Sequence, residues 1–162
     1  MKSMITAMMV IVVLAAISCT KGGELERINS TQYTVTSLAS SRQLVPGLDT
    51  TFSGTFNGFY DEQGNGLTFT IGWKDLWGAA KDTIISVNFY GPAGPAENGP
   101  LVRSLPFVST HSASSINLGL AGIKGFTADE RKDFLAGAWY FTINTKKYPN
   151  GIIRGQLAPT KQ

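Results

Sequence analysis

The chain offers few groups from which a reactive centre could be built: 162 residues contain one His and one Cys. A metal site needs several His, Cys or carboxylate ligands at close quarters. His111, in the polar stretch Ser109-Thr-His-Ser-Ala113, reads as an exposed loop histidine rather than a ligand. Asp61-Glu-Gln-Gly-Asn-Gly66 lacks the spacing and closing Glu of an EF-hand and reads as a hairpin turn. Covalent catalysis needs a nucleophile beside a base. Ser and Thr are plentiful, but there is no G-x-S-x-G and no imidazole besides His111. Paired carboxylates serve glycosidases, yet the acidic residues fall almost entirely in predicted turns, loops and one helix start, where solvation and capping account for them. No catalytic residue, metal or cofactor is expected.

Binding chemistry is better represented. Trp73, Trp77, Trp139 and Tyr140 are of the type that builds sugar- or peptide-stacking surfaces, although such aromatics more often fill cores. Trp73 shares strand parity with Leu67, Phe69 and Ile71 and is assigned to the core. Trp77 lies in a predicted loop and is the better candidate for an exposed contact. Asn88, Tyr90, Gly91, Pro92, Asn98, Gly99 and Pro100 border or form the longest special loop. Loops on a rigid sheet scaffold commonly carry recognition, so any partner is expected there. Arg154 lies within a strand and is read as structural, its guanidinium fork holding backbone carbonyls or a carboxylate; anion binding is the second reading. Asn144 is likewise read as structural.

Cys19 is the one residue whose chemistry can be named. Lys2 precedes a continuous apolar stretch, Met4 to Ile17, interrupted only by Thr6. A spanning helix needs roughly 20 apolar residues, so this run is a signal segment. It ends in Ala16-Ile17-Ser18-Cys19, with small residues suited to a signal peptidase. The sequence resembles the bacterial lipobox, which implies a diacylglyceryl thioether on Cys19, cleavage before it and acylation of the new amine. Each buried lipid CH₂ contributes about 0.8 kcal/mol, and more than one chain makes attachment stable. Thr20 rather than Asp after the cysteine favours the outer membrane. A lone cysteine makes no intramolecular disulfide.

The remaining elements position the candidates. Residues 1–18 are the expected signal peptide. Residues 19–30 are an expected flexible tether, whose eleven residues after Cys19 have a reach of about 36 Å at roughly 3.3 Å per residue. Residues 31–158 form the expected domain, and 159–162 an expected tail. With Lys2 removed, the formal charge of +3 falls to +2. No basic cluster exceeds Lys146-Lys147, so nucleic acid is not an expected partner. Strands are predicted over Tyr33–Leu38, Phe52–Phe56 (breaking at Asn57-Gly58), Leu67–Trp73, Ile84–Tyr90, Leu101–Val108, Ser114–Leu118, Ala138–Asn144 and Ile152–Leu157. One helix, near 127–136, is predicted from the Thr127…Glu130 capping box and the Gly137 stop. The class is all-β: an antiparallel, Greek-key-like β-sandwich with one short helix.

Several segments, in order, resemble the CHRD (chordin-type) domain. Ser40-Ser-Arg-Gln-Leu-Val-Pro46 with Thr50-Thr-Phe-Ser-Gly54 is similar to G-x-x-E-V-P and T-x-A-x-G. Asn88-Phe-Tyr-Gly-Pro-Ala93 with Asn98-Gly-Pro-Leu-Val102 is similar to H-I-H-G-P-A and N-G-P-V-V. Leu135 to Thr145 with Pro149 to Leu157 is similar to L-x-x-G-x-x-Y-V-N-V-H-T and P-x-G-E-I-R-G-Q-L. The match covers about Tyr33 to Ala158. It implies an antiparallel β-sandwich in a secreted or exported protein, and architecture more than mechanism. Leu44, Asn88, Tyr90, Asn144 and Ile152 stand where the family pattern has Glu or His, and only Arg154 of that polar set remains. A metal or proton-transfer cluster at those positions is therefore not expected in this chain.

The expectation is a lipid-anchored, non-catalytic binding or structural module of the cell envelope, its partner an envelope protein or a glycan. The alternative is a metal-binding protein or enzyme with an unrecognised site.

Overall fold

The computed structural model describes residues 30–78 and 81–162. The signal segment 1–18, Cys19 and all of the tether but Ser30 lie outside the described residues.

Alternation builds most of the sheet. In β1 (Gln32–Ser40), β2 (Ser53–Asp61) and β3 (Gly66–Lys74) every second residue turns inward: Val35 and Ala39, then Phe56 and Tyr60, then Leu67, Phe69, Ile71 and Trp73. β4 (Ile84–Tyr90), β5 (Leu101–Ser109) and β6 (Ser114–Lys124) follow, then the helix α1 (Ala128–Leu135). β7 (Tyr140–Thr145), β8 (Ile153–Gln156) and β9 (Ala158–Lys161) complete the chain. The strands form one nine-stranded sheet in the order β5-β4-β7-β8-β1-β2-β3-β6, with β9 added beside β1. All ladders are antiparallel. The sheet curls over a shared core, so the fold is all-β and nearly closed. Phe56 of β2 meets Phe89 of β4 and Phe141 of β7 across that core, with ring centroids 6.2 and 5.4 Å apart.

Three local readings change. Asn57-Gly58 does not end its strand, because β2 runs on to Asp61. Gly58 faces the core where Phe56 and Phe69 stack at 4.8 Å. A Cβ there would come within 3.0 Å of both side chains, so glycine is what lets the strand pass the rings. The expected tail, 159–162, contributes three residues to β9 (Ala158–Lys161), which pairs with β1 from Tyr33↔Lys161 to Thr36↔Ala158. Trp77 is 8% exposed and belongs to the core. The loop that carries it folds inward and takes Leu76 with it, so Trp77 is not the exposed contact expected from its loop position.

The helix forms as its caps dictate. The Thr127 side chain accepts from the Glu130 amide, and the Glu130 carboxylate accepts from the Thr127 amide. Gly137 stops it at φ 74°, a left-handed value that suits glycine. Phe134 is buried against Tyr60, Phe126 and Trp139. Arg103 of β5 grips Glu130 with both guanidinium ends, at 2.7 and 2.8 Å. Burial pushes the Glu130 carboxyl up, but Arg103 and Thr127 together hold it below its ordinary value.

Candidate functional site

β7 is buried on both faces. Its inward residues Phe141 and Ile143 fill the core, while Tyr140, Thr142 and Asn144 point to the outer face and are covered there by loops. Strand register extends this outer face sideways. Asn88 of β4 pairs with Thr142, which pairs with Arg154 of β8, which pairs with Ser40 of β1. One step along the strands, Tyr90 pairs with Tyr140 and Tyr140 with Gln156.

Three loops stand on this floor and enclose a pocket of about 550 Å³. Its floor is Tyr90, Tyr140, Thr142 and Arg154, and its walls come from residues 44–48, 98–99 and 147–151. That volume suits a small-molecule ligand.

The walls are tied down. Ser41 and Thr50 bond to each other through their hydroxyls at 2.6 Å, and Ser41 Oγ also donates to the Thr50 carbonyl. Asn98 Nδ2 donates to the Val45 carbonyl at 2.7 Å, joining two walls. Tyr140 Oη accepts from the Gly99 amide at 3.2 Å. Asn144 is fully buried: it receives the Thr142 hydroxyl at 2.6 Å and donates to the Pro149 carbonyl at 2.5 Å. Asn144 thus holds the third wall. At that wall Gly151 has φ 117°, and a Cβ would press on Leu44 and Thr142.

Of the two cations that line the pocket, Lys147 belongs to a wall and Arg154 to the floor. Arg154 is 2% exposed. Its Nη2 donates to the Gly94 carbonyl at 2.8 Å and lies 3.5 Å from Gln156 Oε1. The guanidinium carbon rests 3.6 Å from the centre of the Tyr140 ring, and Tyr90 stacks on Tyr140 at 5.1 Å. Among the described residues Nη1 has no hydrogen-bond partner. No carboxylate among the described residues forms an ion pair with Arg154; the ion pairs there are Arg42–Asp49 and Arg103–Glu130. Burial lowers the Arg154 guanidinium from its ordinary value, with Tyr140 acting in the opposite direction.

The residues picked out from the sequence separate on this frame. Tyr90, Asn98, Gly99 and Arg154 line the pocket together. Asn88 stands beside it, its Nδ2 3.3 Å from Tyr90 Oη and its Oδ1 accepting from Ser104. Gly91 is buried against Trp139, with its amide donating to the Pro100 carbonyl, and closes the base of the loop. Pro92 and Pro100 are exposed and do not line the pocket. Ile152 is buried in the core. His111 is exposed, and its carbonyl accepts from Trp73 Nε1 at 2.9 Å.

Sequence reasoning named Tyr140 only as one of several aromatics and missed Thr142 and the 44–48 and 147–151 walls. The usable signal was the polar half of Tyr140-Phe-Thr-Ile-Asn-Thr145, which shares parity with Tyr140 and faces Arg154 one strand away. Among the described residues no group of three His, Cys, Asp or Glu is placed to hold a metal ion. The arrangement can desolvate, stack and neutralise a ligand; it offers no nucleophile beside a base.

No curated protein and no solved structure matches the chain. The family model for the CHRD domain matches residues 34–157, from β1 through the end of β8 and the whole pocket. The chain belongs to the CHRD domain family.

Proposed function

We propose that this is an exported lipoprotein, cleaved after Ser18, acylated on Cys19 and held at the cell envelope, on the outer membrane. Its CHRD domain works there as a non-catalytic binding module. The observation that carries the binding role is the pocket over Arg154: a preformed concavity of about 550 Å³ with a buried, unpaired cation in its floor. Thr142, whose hydroxyl is engaged by Asn144, is no activated nucleophile. The anchoring role is supported by the spacing of Lys2, the apolar run and Ala16-Ile17-Ser18-Cys19. Residues 19–30 then let the domain stand off the lipid surface.

Cys19→Ala is the direct test of anchoring. The variant is expected to leave the membrane fraction or to accumulate as uncleaved precursor. Retention in the membrane with normal processing would overturn the lipoprotein assignment.

A further inference from the structure

A buried charge without a counterion is costly. Removing an ion from water costs several kcal/mol in real proteins, and an unmade hydrogen bond to a buried donor costs about 1–3 kcal/mol more. Arg154 carries both penalties: its side chain is almost fully buried, and Nη1 lacks an acceptor. Gly94 and Gln156 engage Nη2 alone, and the Tyr140 ring face compensates the charge only in part. Glu97, the carboxylate on the adjacent loop, accepts from the Gly94 amide and is no partner of Arg154. The pocket lining contains a second cation, Lys147, and no carboxylate.

Resting on the reading of this pocket as the binding site, we infer that it receives a small ligand bearing a carboxylate. The acid group is neutralised by Arg154, with Lys147 at the mouth. The apolar body lies against Tyr90, Tyr140, Leu44 and Leu48. Nη1, the unpartnered end of the guanidinium, can donate a charge-assisted bond to a carboxylate oxygen while Nη2 stays on Gly94. The wall composition favours this over an inorganic oxyanion: the lining is aromatic or aliphatic at eight of its fifteen residues. It also holds no helix N-terminus of the kind that commonly binds phosphate, since α1 contributes no residue to it.

The test is isothermal titration of the full chain, solubilised in detergent, with N-acetyl-phenylalanine, glucuronate, the corresponding amides and inorganic phosphate. The first acid stands for a peptide C-terminus and the second for an acidic sugar. Binding of either acid, with its amide at least about tenfold weaker, is the expected result. Lys147→Met is expected to weaken the acid about two- to fivefold. The neighbouring exposed Lys146→Met, which lowers net charge equally, is expected to leave it unchanged. Arg154→Lys keeps the charge but cannot donate to Gly94 and to a ligand from two separate nitrogens, and is expected to lose most of the affinity. If that variant does not fold, Lys147→Met against Lys146→Met decides. Equal binding of acid and amide would overturn the carboxylate assignment while leaving a binding pocket. Binding of neither acid, displacement of the acid by equimolar phosphate, or equal effects of the two lysine variants would also overturn it.

Discussion

Phe56→Ala is expected to lower the unfolding free energy by about 3–5 kcal/mol, whereas Phe59→Ala, three positions along the same strand, is expected to change it by less than about 0.5 kcal/mol. Phe56 is 1% exposed and touches the rings of Phe69, Phe89 and Phe141; Phe59 is 57% exposed on the opposite face. A domain of this size has about 5–15 kcal/mol in total, so the first change removes a large share. The consequence reaches the pocket. Phe89 and Phe141 lie on the inner face of the two strands that present Tyr90, Tyr140 and Thr142 outward. Loosening the ring cluster shifts the floor on which the ligand would sit. Urea unfolding of the two variants checks this, and a cost below about 1 kcal/mol for Phe56→Ala would mean that the ring cluster does not organise the core.

The second large effect separates binding from stability. Arg154→Leu is expected to abolish recognition of an acidic ligand yet leave stability within about 1 kcal/mol of the parent, because replacing a buried charge by an apolar side chain is often neutral or better. The change forfeits the bond to the Gly94 carbonyl and the contact with Tyr140. It also removes the desolvation penalty and the unpaired Nη1. Gly94 is only half-buried, so its carbonyl can turn to water. A loss above about 3 kcal/mol would instead make Arg154 a strut for the 91–100 loop, the purely structural role that its place in the strand suggested. Thermal unfolding alongside titration with the acid distinguishes the two.

Local chemistry made much of the architecture readable in advance. Leu67-Thr-Phe-Thr-Ile-Gly-Trp73 alternates strictly and is β3; Thr127 and Glu130 form the capping box, and Gly137 ends the helix. The failures share a physical cause, dependence on distant partners. Asn57-Gly58 looks like a turn until Phe69 fills the space that a Cβ would need. Ala158-Pro-Thr-Lys161 has no strand signature of its own and exists as β9 because β1, more than 120 residues earlier, supplies its hydrogen bonds. Trp77 sits in a loop, and only the packing of that loop makes it core.

The pocket was legible in fragments. Tyr90, Asn98, Gly99 and Arg154 stood out as single residues, and Arg154 as the survivor of the family's polar set. What could not be read was that β7 lies between β4 and β8. That order lines Asn88, Thr142 and Arg154 into one row and places Tyr140 between Tyr90 and Arg154. Where the resemblance drawn from the sequence implies Glu and His, this chain has Leu44, Tyr90 and Asn144, respectively a wall, a stacking ring and a hydrogen-bonded brace. Among the described residues Arg154 has no acidic partner, and the proposed binding role rests on that.

The most direct measurement of that claim is the ¹H–¹⁵N spectrum of the full chain, backbone amides and arginine side chains together, titrated with the low-mass fraction of an envelope extract. Perturbations gathered on Tyr90, Gly99, Tyr140, Thr142, Gly151 and the Arg154 guanidinium are the predicted result. Perturbations confined to the exposed apolar side of β1 and β2 around Leu38 and Phe59, with the Arg154 signals unmoved, would contradict it.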